Sequence, residues 1–200
     1  MSAILFYLLH NPSALKRLEH EVRSTFSNTQ DIRTGPALHS CTWLRACIDE
    51  TMRMTPAVPG LLPREILPGG LDIVTLDLYL PPGIDVGVPI YAIHHHGDFV
   101  SEPFKFDPTR WLSEGADREA LGQVFCPFSL GHRSCLGKPL VYMELGIAVA
   151  RLVWEFDMRL AGGLEGELHR EDSREYVVKD YFLAANESVQ VEFRERQTIV

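Results

Sequence analysis

Residues 128–137 combine one cysteine, one arginine and two glycines at a spacing that could bind a metal ion through sulfur, and they read Phe-Ser-Leu-Gly-His-Arg-Ser-Cys-Leu-Gly. Cys135 precedes an apolar pattern at helical spacing, and Arg133 lies just before the thiol. A helix N-terminus and a neighbouring cation both favour the thiolate, which is the form that binds iron. Gly131 and Gly137 would let the backbone turn tightly and approach a flat ligand closely. The alternative interpretation is an ordinary loop around a small buried cysteine.

Glu50 and Arg53 form a second pair whose spacing predicts an interaction. In a helix predicted over 38–54, positions i and i+3 share one face, which brings the two side chains within salt-bridge distance. Most such pairs are solvated and contribute less than about 1 kcal/mol. From spacing alone, the pair is therefore either a pair of surface charges or part of a buried network.

The run His94, His95 and His96 raises the possibility of a transition-metal site. We expect a strand over 90–93, and consecutive residues of a strand point to opposite faces, so adjacent imidazoles would converge poorly on one ion. No fourth ligand follows at a typical zinc spacing. The sequence therefore argues against zinc and favours a hydrogen-bonding role for one of the three.

Composition limits the possible classes of function. The chain has 200 residues, 46% of them hydrophobic and 23% charged, which suits one soluble domain with a sizeable core. Its net charge of -8 argues against nucleic acid as a partner, because phosphate binding needs clustered Lys and Arg. Four cysteines without a Cys-x-x-Cys pair indicate a reducing compartment. The apolar stretch 3–9 is too short to span a bilayer, and we expect no secretory signal.

Hydrophobic periodicity predicts a mainly helical chain with short strands. Patterns typical of helices occupy 3–9, 12–26, 38–54 and 138–156. Asn11 is expected to cap the second of these helices. Proline and glycine punctuate 56–89, which predicts short strands and a hairpin, followed by a further strand at 90–93. Alternation near the end predicts another hairpin, with its turn near 185–187.

The segment 128–137 resembles the haem-binding loop of the cytochromes P450, Phe-x-x-Gly-x-Arg-x-Cys-x-Gly. It agrees with that loop at all five fixed positions, which are Phe128, Gly131, Arg133, Cys135 and Gly137. The resemblance implies haem as the cofactor, with the iron bound by the thiolate of Cys135. It also implies that Arg133, together with Arg64 in the segment Leu-Pro-Arg-Glu, contacts the haem propionates, since a guanidinium suits a carboxylate.

Two further segments resemble the same family, in the same order along the chain. Glu50 and Arg53 match its Glu-x-x-Arg motif. The segment 106–111, Phe-Asp-Pro-Thr-Arg-Trp, is similar to its Pro-Glu-Arg-Phe segment, with threonine and tryptophan as substitutions. The resemblance implies a network of Glu50, Arg53 and Arg110 that fixes the loop beneath the haem, and an Arg–carboxylate pair is well suited to fixing geometry.

The resemblance covers the chain to about Phe193 and implies an α+β fold that is mainly α. This would be the C-terminal part of the P450 fold, with helices, small β-sheets and a haem–thiolate loop before a long helix. Residues 1–200 would form a single partial domain that lacks the N-terminal half and the distal oxygen-activating helix, and we assign no catalytic residue to it. The implied substrate-facing stretches are 57–62 and 182–185, both of them apolar.

The implied function is that of a haem–thiolate monooxygenase, which inserts one oxygen atom into an apolar small molecule. The pattern Pro-Ala-Val-Pro-Gly followed by Pro-Arg-Glu is similar to fungal enzymes of secondary metabolism. The implied redox partner is an NADPH-dependent reductase. We expect no membrane anchor in this chain and a location on the cytoplasmic side, with endoplasmic-reticulum association only for a full-length form. The alternative is a non-catalytic chain, truncated or a pseudoenzyme, that at most binds haem.

Overall fold

The computed structural model describes residues 1–161, 175–186 and 189–196. The helices are α1 (Ser2–His10), α2 (Pro12–Thr25), α3 (Pro36–Ser40), α4 (Thr42–Met54), α5 (Ile90–His94), α6 (Ala116–Val124) and α7 (Lys138–Glu155). The strands are β1 (Arg64–Glu65), β2 (Leu71–Ile73), β3 (Leu78–Leu80), β4 (Asp85–Val86), β5 (Phe156–Leu160), β6 (Val178–Tyr181), β7 (Leu183–Asn186) and β8 (Val191–Glu195). This mainly helical arrangement with small antiparallel sheets confirms the predicted α+β class. Within these ranges, no helix has both the length and the apolar character that crossing a bilayer requires.

The main core lies where α1, α2, α4 and α7 pack against one another. Burying one Val or Leu side chain contributes about 1.5–3 kcal/mol, so the apolar stripes of these helices supply much of the stability. The side chains with no exposed surface include Leu8, Leu18, Val22, Cys47, Val149 and Val153. This packing fixes α4 and α7, the two helices that carry most of the candidate site.

The N-terminus of α4 is capped from another helix. The carboxylate of Glu21, on α2, accepts hydrogen bonds from the backbone N–H groups of Trp43 and Leu44, both at 2.8 Å. In a continuous helix these amides would donate to residues four positions earlier. The single helix predicted over 38–54 was therefore wrong, because the Glu21 carboxylate takes those amides and the chain breaks at Cys41 between α3 and α4.

The C-terminal end of α7 is held by Arg23, which also lies on α2. Its Nε donates to the carbonyl oxygen of Val153 at 3.0 Å, and its Nη2 donates to that of Phe156 at 3.1 Å. These bonds satisfy carbonyls that a helix end leaves without an internal partner. The chain passes directly from α7 into β5, which pairs with β8 from Phe156↔Glu195 to Leu160↔Val191.

Two local predictions were wrong, and a third, the N-cap at Asn11, was confirmed in position but with a different side-chain contact. Residues 90–93 belong to α5 and not to a strand, because a short apolar run fits either structure and periodicity cannot decide between them. Asn11 occupies the N-cap position of α2, but its side-chain amide donates to the carbonyl of Tyr7 at 2.7 Å and so ties α2 to α1. The last hairpin turns at Phe182, not near 185–187, because β7 already pairs with β6 up to Asn186.

The capping of α4 gives a first prediction. Replacing Glu21 with Gln removes the charge and leaves one acceptor oxygen for two helix amides. We expect Glu21→Gln to lower the free energy of unfolding by about 1–2 kcal/mol, with an unchanged denaturant slope in urea. The matched control is Glu144→Gln, at an exposed position of α7. Equal stability of the two variants would show that the contact does not stabilise α4.

Candidate functional site

Residues 126–137 form a loop, called the Cys135 loop below, that is held by backbone hydrogen bonds. The N–H of Cys135 donates to the carbonyl of Phe128 at 2.8 Å, and that of Ser129 donates to Cys126 at 2.9 Å. Gly131 has a φ of 69°, a left-handed conformation that favours glycine, so it makes the predicted tight turn. These contacts place Cys135 shortly before the first residue of α7.

The structure bears on one of the two roles predicted for Gly137, a tight turn and a close approach to a flat ligand. Its φ of -76° and ψ of -4° suit any residue, so the expectation of a glycine-dependent turn was wrong at this position. A Cβ added there would stand 3.5 Å from the Sγ of Cys135, at ordinary contact distance. The glycine therefore leaves the neighbourhood of the sulfur uncovered.

Cys135 differs from the other cysteines of the chain in its exposure. Cys41 and Cys47 are buried and Cys126 is half-buried, whereas Cys135 is exposed. Burial raises the pKa of the Cys41, Cys47 and Cys126 thiols, which keeps them protonated at neutral pH. Cys135 is therefore the most accessible of the four cysteines.

Exposed apolar side chains lie near this thiol in the sequence. Leu136, directly after it, is 97% exposed, and Leu130 in the same loop is 68% exposed. Leu140 and Met143 on α7 add further exposed apolar surface. Covering such a surface with an apolar molecule removes it from water and is therefore favourable.

Glu50 and Arg53 form a buried ion pair at the centre of the structure. Both side chains are 0% exposed. The pair is bidentate, because Arg53 Nε donates to Glu50 Oε2 and Arg53 Nη2 donates to Glu50 Oε1, each at 2.9 Å. A buried charge is tolerated only when paired and hydrogen-bonded, so the surface-pair alternative does not apply here.

The carboxylate of Glu50 also organises residues 106–111. Arg110 Nε donates to Glu50 Oε1 at 3.0 Å, and the indole N–H of Trp111 donates to Oε2 at 2.9 Å. The backbone N–H of Asp107 donates to Oε1 at 3.1 Å. The structure thus brings together Glu50, Arg53 and Arg110, and it adds Trp111, which sequence reasoning had treated only as a substitution.

His94 connects this network with the start of the Cys135 loop. Arg53 Nη1 donates to the His94 carbonyl at 3.0 Å, and His94 Nδ1 lies 3.1 Å from the Arg53 carbonyl. The backbone N–H of Cys126 donates to His94 Nε2 at 3.0 Å. Because a carbonyl only accepts, Nδ1 carries the proton and Nε2 is the acceptor. Burial lowers the pKa of His94 to about 4, so the ring is neutral at physiological pH.

A second contact supports the side of the loop that faces α7. The ring of Phe128 lies against that of Tyr142, with centroids 5.4 Å apart. The Tyr142 hydroxyl donates to Asp49 Oδ1 at 2.7 Å, and Arg45 Nε donates to Asp49 Oδ2 at 2.8 Å. Sequence reasoning missed Asp49 and Tyr142. The i, i+4 spacing of Arg45 and Asp49 was the available signal for one contact, and nothing in the sequence pointed to Tyr142.

The three consecutive histidines point to three different sets of partners. His94 contacts Arg53 and Cys126, as described above. His95 Nδ1 lies 2.8 Å from the Tyr91 carbonyl, and its Nε2 faces Glu175 at 3.3 Å. His96 is exposed. In the described part of the chain, no three His, Cys, Asp or Glu side chains form a group that could hold a metal ion.

The two arginines to which the P450 resemblance assigned the propionates lie on separate segments. Arg64 is exposed on β1, and its Nη1 donates to the carbonyl of Pro63 at 2.8 Å. Arg133 is exposed in a short 3-10 turn, Gly131–Arg133. The side-chain hydrogen bonds of Arg64 run to its own segment, to the carbonyls of Leu62 and Pro63. The shared role of the two arginines therefore stays a prediction.

The two apolar stretches that the sequence paired do meet in space. The N–H of Ala184 in the last hairpin donates to the carbonyl of Ala57 at 2.8 Å. A cavity of about 650 Å³ is lined by Pro59 and Leu61 of the first stretch and by Val178 on β6. Its mostly apolar walls with a few polar groups are typical of small-molecule sites.

Comparison with known proteins identifies relatives along most of the chain. A family model described as Cytochrome P450 matches residues 1–180. The cytochrome P450 monooxygenase apf8 of Gibberella fujikuroi is 48% identical over 78% of this chain and 43% of its own length. The cytochrome P450 monooxygenases atnE of Emericella nidulans and lcsN of Purpureocillium lilacinum are each 40% identical, over 100% and 98% of this chain and 38% and 59% of their own lengths. The chain spans roughly two-fifths to three-fifths of these curated relatives.

The buried ion pair gives a second prediction. Glu50→Gln leaves Arg53 buried without its counter-charge, so we expect the free energy of unfolding to fall by about 3–5 kcal/mol. The control is Glu102→Gln, which removes a salt bridge to Lys105 in which the Glu102 side chain is 68% exposed. That change should alter stability by less than about 1 kcal/mol in the same urea titration. Similar losses in both variants would contradict the central role of the pair.

His94 gives a third prediction, on pH dependence. The folded chain holds the pKa of His94 at about 4, below its ordinary 6.5, chiefly through burial and also through the charges of Arg53 and His95. The unfolded chain therefore takes up the proton first, and the stability linked to the neutral ring is complete above about pH 6.5 and lost as the pH falls towards 4. We expect the stability of the wild type relative to His94→Gln to fall by about 3 kcal/mol between pH 7 and pH 4. A stability difference that does not change with pH would contradict this.

Proposed function

Because this chain belongs to the cytochrome P450 family, we propose that it is the haem-binding part of a monooxygenase and that Cys135 is the ligand of the haem iron. The observation that carries the proposal is the exposure of this one thiol, which the Phe128 carbonyl and the start of α7 hold in place. The other three cysteines are wholly or partly buried, with the pKa of each thiol raised by burial.

The residues around Cys135 suit a haem. Sulfur is a suitable ligand for iron, and Gly137 leaves space beside it. The exposed side chains of Leu130 and Leu136 offer apolar surface to a flat macrocycle. Phe128 connects the loop with α7 through its contact with Tyr142. Gly131 provides the turn that brings the loop back towards the helix.

The bound haem supplies the oxygen chemistry of the family, and a cysteine ligand favours O–O cleavage by donating electron density to the iron. The chain's own residues hold and orient the cofactor. The loop hydrogen bonds hold the backbone at Cys135, and the buried network of Glu50, Arg53 and Arg110 fixes residues 106–111, whose Trp111 ring contacts Phe125 just before the loop. We assign Arg64 and Arg133 to the two propionates, because both guanidinium groups are exposed and pair readily with carboxylates.

The proposed substrate is an apolar small molecule. The stretches 57–62 and 182–185 supply apolar side chains, and the Ala184–Ala57 hydrogen bond holds the hairpin against the first stretch. Phe182 and Leu183 at the turn are each 62% exposed, so they offer surface to a ligand. The fungal relatives support the proposal that the product is a secondary metabolite.

The proposed partner is an NADPH-dependent reductase, which would supply the electrons that oxygen insertion requires. We further propose that residues 1–200 correspond to the C-terminal, haem-binding part of a P450 domain, and that a full-length form associates with the endoplasmic reticulum on its cytoplasmic side. The family match over residues 1–180 supports the assignment to a P450 domain.

The ligand assignment is tested by absorption spectroscopy. The chain is loaded with haem, reduced and exposed to CO, and the Soret band is recorded. Cys135→Ser should abolish the red-shifted band that a thiolate ligand gives, because a serine oxygen does not replace the sulfur. The matched control is Cys126→Ser, which changes a half-buried thiol in the same loop region and should keep the band. The assignment is wrong if Cys126→Ser loses the band and Cys135→Ser keeps it.

A further inference from the structure

We propose that His94 is a positioning residue for the Cys135 loop. Its ring bonds the backbone of Arg53 on one side and the main-chain N–H of Cys126, the first residue of the loop, on the other. It thereby holds the start of the loop at a fixed position relative to the buried Glu50–Arg53 pair. The importance of this for iron binding rests on the proposed function. The structural link itself can be tested without the metal.

The link between His94 and Arg53 is reciprocal. The side chain of Arg53 donates to the backbone of His94 at 3.0 Å, and the side chain of His94 donates to the backbone of Arg53 at 3.1 Å. His94 is 0% exposed, and its ring stacks on that of Phe125 at a centroid distance of 5.5 Å. The ring therefore has one position and one tautomer, set by a helix that the buried ion pair already fixes.

The other ring nitrogen faces the loop. His94 Nε2 accepts the N–H of Cys126 at 3.0 Å. The carbonyl of the same residue accepts the N–H of Ser129 at 2.9 Å, and the carbonyl of Phe128 accepts the N–H of Cys135 at 2.8 Å. A short series of hydrogen bonds thus runs from the His94 ring to the amide of Cys135. Removing the acceptor would leave the Cys126 amide without its partner and free the first residue of the loop.

The role of His94 is distinct from that of Tyr142. Tyr142 contacts the ring of Phe128 and so supports a side chain of the loop. His94 binds a main-chain amide, which determines the path of the backbone. Only the second contact depends on an acceptor at the Nε2 position, and this makes the two roles separable by substitution.

Two substitutions of similar size separate the two ring nitrogens. In His94→Asn, the side-chain amide reaches the Nδ1 position and can keep the bond to Arg53, but it cannot reach Cys126. In His94→Gln, the longer side chain places an acceptor oxygen at the Nε2 position. We expect the Cys126 amide to exchange with deuterium at least about tenfold faster in His94→Asn than in wild type, and at a near-native rate in His94→Gln. The measurement uses nitrogen-15-labelled chain, with and without bound haem.

The CO spectrum gives the second readout. His94→Asn should shift intensity from the thiolate band to the band of a protonated or displaced thiol, whereas His94→Gln should retain the thiolate band. Equal exchange rates and equal spectra in the two variants would overturn the proposal. If Cys135→Ser also leaves the spectrum unchanged, the ligand assignment fails instead, and the exchange rates still decide the role of His94.

Wild-type protein provides a measurement that does not depend on the folding of a variant. The nitrogen-15 shifts of the His94 ring should show a proton on Nδ1 and none on Nε2. A ring protonated on Nε2 could not accept the Cys126 amide, so that result alone would refute the link.

Discussion

The surrounding structure depends on one constraint, which is the burial of the charged Glu50 carboxylate away from water. A buried carboxylate is stable only when its oxygens are saturated with donors. Here the donors are Arg53 on the same helix and Arg110, Trp111 and the amide of Asp107 on a distant segment. Residues 106–111 include only a short 3-10 turn, so this shared acceptor, more than their own backbone bonding, gives them a defined position.

Much of the fold and the family could be predicted from the sequence. The long helices follow from strong apolar periodicity, and the P450 resemblance, including that to fungal members, is confirmed by the family match and by relatives 40–48% identical. Two of the local differences, at Cys41 and at Asn11, have the same physical cause. The break at Cys41 depends on Glu21, and the tie at Asn11 depends on Tyr7; a prediction from local pattern cannot include such partners.

The candidate site also has a part that could be predicted from the sequence and a part that could not. Spacing alone placed Glu50 and Arg53 on one face, and the motif drew attention to Cys135. The ring contacts of His94 and the Tyr142–Asp49 bond were not predictable, because they join residues 32 to 93 positions apart. His94 thus supports the main chain of the loop at Cys126, and Tyr142 supports the side chain of Phe128. Both partners contact α4, through Arg53 and Asp49, so both of these supports of the loop depend on that helix.

The clamp of Arg23 on the far end of α7 has a mechanical consequence. The helix has 18 residues, so at 1.5 Å per residue it is a stiff rod about 27 Å long. The Cys135 loop precedes the N-terminal end of this helix, and Arg23 binds its C-terminal end. A pivot of only about 1° at the gripped end would swing the loop by about 0.5 Å, which is the tolerance within which a functional centre must be held. Arg23 therefore limits the tilt of α7, and the accuracy of the thiol's position depends on a side chain at the opposite end of that helix.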